Sequence, residues 1–151
     1  MIYTLLISGI LAQEAPPIVN GLVTTNYKPV GMFGACSQST CWNCSGTLVH
    51  PEWVITAAHC VDSMVLSNQD YFVVGRSYNE AIDYAVIEDY WFHEQYDDQN
   101  IMNDIAVLKL KTPINSVGVM PVNTDQVNNN WIGRELQMVG YGITSSNGED
   151  S

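Results

Sequence analysis

The side chains that could carry chemistry are three histidines, four cysteines and a scatter of carboxylates. His59 ends the run Trp53-Val-Ile-Thr-Ala-Ala-His59 and is followed at once by Cys60. An imidazole in such a place can act as a general base, because its ordinary pKa of about 6.5 lets it accept and return a proton near neutrality. Asp104 lies in Asn103-Asp-Ile-Ala-Val-Leu-Lys-Leu110, a carboxylate at the mouth of an apolar run. Neither setting alone singles out a catalyst, since lone histidines are more often surface or satisfied core residues. His50 and His93 read as structural, and Asp97 and Asp98 as solvated loop charges.

Cys36, Cys41, Cys44 and Cys60 admit two chemistries. In an oxidising compartment an even count suggests disulfides, with three possible connectivities. A Cys44–Cys60 bond would close a loop worth roughly 3 kcal/mol in the chain-entropy description, leaving Cys36 and Cys41 to pair across a tight loop. Alternatively, Cys36-x4-Cys41-x2-Cys44 has the spacing of a plant-type iron–sulfur cluster, with Cys60 as the fourth ligand; zinc is a variant of the same reading. Asn43-Cys-Ser45 fits the glycosylation pattern, with a cysteine at its centre.

The elements that must position these groups are short strands. Runs rich in Val, Ile, Tyr and Trp occur at Gly46–Val49, Trp53–Thr56, Tyr71–Val74, Ala81–Ile87, Ile105–Leu110 and Leu136–Val139. Asn79, Asn103, Pro113 and the Asn128–Asn130 cluster separate them, a pattern that predicts an antiparallel sandwich or barrel. Ala57-Ala58-His59-Cys60 is weak in strand propensity and predicts a single helical turn. Residues Val122 to Asn130 read as a connecting segment.

Composition narrows the partners. Among 151 residues, 16 Asp+Glu oppose 5 Lys+Arg, for a formal charge of -11. Only Lys28, Arg76, Lys109, Lys111 and Arg134 could neutralise phosphates, which argues against nucleic acid and against polybasic attachment to anionic membranes. Ile2 to Ala12 is apolar but spans too little to cross a ~30 Å hydrocarbon core. Its length fits the apolar region of a secretory signal, although no basic residue precedes it. Signal removal would leave a secreted protein with no membrane attachment.

The residues around His59 and Asp104 resemble the chymotrypsin/trypsin family of serine peptidases. The family's opening appears as Ile18-Val-Asn-Gly21, and its Cys-Gly-Gly-Ser-Leu strand as Cys44-Ser-Gly-Thr-Leu48. The stretch around its general base reads Thr56-Ala-Ala-His-Cys60, and that around its buried acid Asn103-Asp-Ile-Ala-Val-Leu108. A Gly-Trp-Gly near the start of the second barrel looks like Gly140-Tyr-Gly142. The 45 residues from His59 to Asp104 equal the family's base-to-acid spacing. The resemblance implies an all-β chymotrypsin-like fold, with a six-stranded antiparallel barrel over Ile18 to about Pro121. It implies His59 as general base, Asp104 as its orienting acid, a Cys44–Cys60 bridge beside the base, and Ile18 as mature N terminus after residues 13–17. Protein or peptide substrates follow, with no cofactor.

Three departures shape the expectation. The family's nucleophile sits in Gly-Asp-Ser-Gly-Gly roughly 140 residues after the base, beyond Ser151. Gly148-Glu-Asp-Ser151 comes far too early to stand in for it. The sequence therefore predicts a complete first barrel and a second barrel truncated after its first strand, at Glu135 to Gly142, with no nucleophile and no activity alone. No Lys or Arg precedes Ile18 among Gln13-Glu-Ala-Pro-Pro17, so no tryptic activation site is present. Arg76 stands where some members carry an acidic calcium ligand, which predicts no metal there. A non-catalytic, protein-binding homologue is the alternative, against which the intact His59 and Asp104 count. The pocket that would set substrate preference belongs, on this resemblance, to the missing second half.

Overall fold

Two glycines facing one another make room for one of the two phenylalanines of the core. In the computed structural model Gly31 pairs with Gly46 across two antiparallel strands, and the Phe72 ring lies against both. A Cβ at Gly31 would fall 2.5 Å from Phe72 Cζ and from the Val73 carbonyl oxygen, and one at Gly46 2.6 Å from Val54 Cγ1. Close approach of backbone to ring is the reason for glycine in these strands.

The structure describes residues 24–36, 41–62, 64–66 and 69–141, and of residues 35, 36, 41 and 42 the backbone alone. The apolar run from Ile2, the pro-segment, Ile18, Gly142 and the end at Ser151 all lie outside the described residues.

Six strands form a closed antiparallel barrel: β1 Val30–Cys36, β2 Cys41–His50, β3 Trp53–Thr56, β4 Tyr71–Gly75, β5 Ala81–Phe92 and β6 Ala106–Leu110. Their spatial order is β1-β2-β3-β6-β5-β4, with β1 and β4 closing the circle. Alternation decides which side chains enter. In β6, Ala106, Leu108 and Leu110 are buried while Val107 and Lys109 are half-exposed, and Val54 and Thr56 of β3 point inward in the same way. Phe33, Leu48, Phe72, Val74, Ile87, Leu108 and Leu110 fill the interior. Register shifts at Leu48/His50, Val74/Gly75 and Ile87/Asp89 bend the strands around the closed circle. Because the interior is close-packed, Ile87→Val is expected to cost about 1 kcal/mol, read from the urea midpoint at unchanged slope.

The structure corrects several strand boundaries. β1 escapes a propensity reading because Val30-Gly-Met-Phe-Gly-Ala-Cys36 contains two glycines, which weaken a strand unless a ring needs their space. β5 continues past Ile87 through Glu88-Asp89, residues that look like a turn but sit at a bulge. β6 opens at Ala106, one residue later than expected. Leu136–Val139, expected as the first strand of a second barrel, forms no strand among the described residues. A strand needs a neighbour to satisfy its amides and carbonyls, and no described segment pairs with it. Leu136 and Met138 consequently stand 78% and 81% exposed, and Val122, Val127 and Ile132 are exposed on the segment leading to them.

Candidate active site

His59 reaches the surface because its neighbours cannot. β3 ends at Thr56, whose hydroxyl donates to the Ser45 carbonyl at 2.9 Å. The chain then makes one 3₁₀ turn, Ala58–Cys60, with both terminal residues buried. Cys60 is drawn inward by a disulfide to Cys44 on β2, with a Cα–Cα distance of 6.2 Å. Between two inward-facing residues the His59 side chain turns outward, 52% exposed.

Asp104 arrives from the other side of the same ladder. β3 and β6 pair with Thr56 opposite Ala106, so the residues just after β3 and just before β6 emerge together. The loop ahead of β6 is shaped by local bonds. Asp97 accepts from the backbone of Gln99 and Asn100 and from the Asn100 amide, and Asn103 donates to the Gln95 carbonyl at 2.8 Å. Ile101 and Asn103 take positive φ values of 51° and 53°, which turn the chain back toward the barrel. Two residues 45 apart in sequence thus become neighbours.

They meet through both carboxylate oxygens. Asp104 Oδ2 lies 2.7 Å from His59 Nδ1, and Oδ1 accepts from the His59 backbone amide at 2.9 Å. Burial pushes the Asp104 carboxyl up, but the hydrogen bonds from the His59 amide and ring, the His59 charge and the Ala58 amide outweigh it and hold the pKa below the usual carboxylate value. An ionised carboxylate only accepts, so neutral His59 carries its proton on Nδ1 and leaves the Nε2 lone pair free to take one. Nε2 lies 3.6 Å from Cys60 Sγ at the half-open surface. Among the described residues no serine hydroxyl is bonded to His59. Nearby, Tyr96 places its hydroxyl 3.4 Å from Asp62, and partial burial followed by the charges of Asp62, Asp104 and Asp98 raises its pKa.

A depressed carboxyl pKa has a signed consequence. The stability that Asp104 contributes is fully present above the ordinary carboxylate range and is lost as pH falls through its lowered value in the folded state. Asp104→Asn is therefore expected to flatten the acid limb of stability below about pH 4, seen in urea midpoints measured down the pH scale.

The remaining candidates separate. Cys44 and Cys60 are bonded to each other, so the four cysteines do not offer the four thiolates of an iron–sulfur or zinc site. Cys36 stands opposite Cys41 in the β1–β2 register, and their side chains lie outside the described residues. His50 and His93 each accept a backbone amide two residues ahead, from Glu52 and Gln95, which is local loop structure. Asp97 is the correction: it organises its loop through three accepted bonds instead of standing as a solvated charge. Arg76 sits 3.9 Å from Glu80 in an exposed pair. Ser45 and Tyr141, each a change from the family motif, touch one another beside the disulfide.

This geometry is the setting for what the chain is similar to. The Trypsin family profile matches residues 20–151. A trypsin of Sarcophaga bullata is 31% identical over 97 residues, 64% of this chain and 38% of that protein. A chymotrypsin of Phaedon cochleariae is 32% identical over 136 residues, 85% of this chain and 49% of that protein. A Scolopendra subspinipes serine protease, SSP1, is 32% identical over 114 residues, covering 70% and 40%. The matched regions thus span half or less of these relatives' length. Among solved structures, HL collagenase superposes with a TM-score of 0.58 at 20% identity over 66% of this chain and 44% of that one, a likeness of fold. GrC gives 0.58 at 19% identity over 68% and 48%. Family profile, relatives and barrel agree, and the chain belongs to the trypsin family of serine proteases.

Proposed function

We propose that His59 is the general base and Asp104 its orienting acid in a secreted serine endopeptidase that cleaves protein or peptide substrates through an acyl-enzyme. The observation that carries this is the 2.7 Å contact of Asp104 Oδ2 with His59 Nδ1, made while Oδ1 is held by backbone amide. In the reaction Nε2 takes the proton of a serine hydroxyl as its oxygen bonds to the substrate carbonyl carbon. The same nitrogen then delivers that proton to the departing amine, and water repeats the sequence to release the acid. Asp104 keeps its charge throughout and stabilises the imidazolium.

On this reading the serine, the oxyanion donors and the specificity pocket belong to sequence beyond the described residues. A polypeptide of these 151 residues alone is then inert, since loss of the nucleophile costs about 10⁶ in kcat in a serine protease of another fold. Secretion is supported by the apolar run from Ile2 and by a disulfide, with Ile18 as mature N terminus. The test is to follow the coding sequence past Ser151, express the continuous chain and assay peptide hydrolysis. A serine in Gly-Asp-Ser-Gly and activity abolished by His59→Ala are the expected results. A continuation with no such serine, or activity indifferent to His59, overturns the reading, the former in favour of a protein-binding homologue.

A further inference from the structure

Two positions at which this chain departs from its family's motifs touch one another. Ser45 stands where the family strand has its first glycine after cysteine, and Tyr141 where the second-barrel motif has tryptophan. The Tyr141 amide donates to Ser45 Oγ at 2.7 Å. The Tyr141 hydroxyl shares its proton between the carbonyl oxygens of Val30, at 3.2 Å, and Gly75. Val30 opens β1 and Gly75 ends β4, one step beyond Gly31 and Val74, the last pair of the ladder that closes the barrel. A single phenol therefore bridges the end of the closing seam.

The other half of the contact is equally fixed. The Ser45 carbonyl accepts from Thr56, and Ser45 follows Cys44, which is bonded to Cys60 beside His59. A Cβ at residue 140 would lie 2.9 Å from Ser45 Oγ, so a larger residue there would displace the hydroxyl that accepts from Tyr141. Glycine at 45 offers no side-chain oxygen and indole at 141 no hydroxyl, so the family's pair cannot make this set of bonds. Upstream, residues 135–139 form no ladder and expose Leu136 and Met138, while Gln137 accepts from the Tyr27 hydroxyl. Burial of the phenol raises its pKa and keeps its proton available.

We propose that Ser45 and Tyr141 form a clasp that seats the segment leaving the barrel on the end of the β1–β4 seam, anchored to the strand that the disulfide ties to the His59 turn. The clasp gives an otherwise unpaired stretch a defined exit point, set against the barrel wall that carries the dyad. It does not depend on the dyad's chemistry.

Hydrogen exchange on the 151-residue chain tests it. Tyr141→Phe keeps the ring and removes the hydroxyl; the amide of residue 141, which donates to Ser45 Oγ, is expected to exchange roughly tenfold faster, with Val54 and Leu108 unchanged as the internal measure of folding. Ser45→Ala is expected to release the Tyr141 amide to a similar extent. The double variant should add little, because bonds closing one clasp are coupled. Should Tyr141→Phe also deprotect the barrel, Ser45→Ala alone decides. Wild-type exchange of the residue 141 amide in the variants, or a Tyr141 amide that already exchanges like unstructured peptide in the wild type, overturns the proposal.

Discussion

If the proposed function holds, Asp104→Asn is expected to lower the kcat of peptide hydrolysis by roughly 10⁴-fold, the size of the loss for the equivalent replacement in another member of this family. The structure supplies the reason the loss should be so large for so small a change. Oδ1 faces the His59 amide, a donor that only an oxygen can satisfy. An asparagine must keep its oxygen there, so its NH₂ is forced toward His59 Nδ1. Two donors cannot share one hydrogen bond, and the ring moves its proton to Nε2. The general base then has no lone pair to offer the nucleophile. Geometry survives while the proton sits on the wrong nitrogen, so KM should change far less than kcat. Activity within tenfold of wild type would sink the assignment of Asp104.

Removing the Cys44–Cys60 bridge, as Cys44→Ala with Cys60→Ala, is expected to destabilise the barrel by about 3 kcal/mol, the chain-entropy value for a loop near this length. For a domain of this size that corresponds to a melting temperature lower by about 10 °C, measured by calorimetry on oxidised wild type and the double variant. The bond joins residues 16 apart in sequence and ties the 3₁₀ turn to β2. Its loss also unpins Cys60 next to His59, so the His59–Asp104 contact should loosen before the core melts. A melting temperature within 2–3 °C of wild type, well below the shift expected for 3 kcal/mol, would show that the packing of Ala58 and Val61 alone holds the turn.

Legibility in the sequence differed from element to element. β3 and β6 are plain because each is a short alternating run whose inward residues are all apolar or small. β1 is concealed, since the glycines that suppress strand propensity are there to admit Phe72, a residue distant in sequence. β5 is concealed in part by Glu88-Asp89, which only the bulge against β6 explains. Leu136–Val139 shows the converse case, in which local propensity promises a strand and no partner edge among the described residues receives it.

The sequence by itself determined the family and the barrel and singled out His59 and Asp104 as candidates, because these depend on residue type, alternation and a spacing of 45. It also offered Cys44 and Cys60 as a pair that could close a loop beside His59. Tertiary structure decided the rest. The pairing of Thr56 with Ala106 turns that spacing into a 2.7 Å contact, and backbone amides choose which carboxylate oxygen faces the ring. The meeting of Ser45 with Tyr141, 96 residues apart, belongs to the same class. Contacts of this kind are set by strand register and barrel closure, which sum over the whole chain and leave no mark in any one segment.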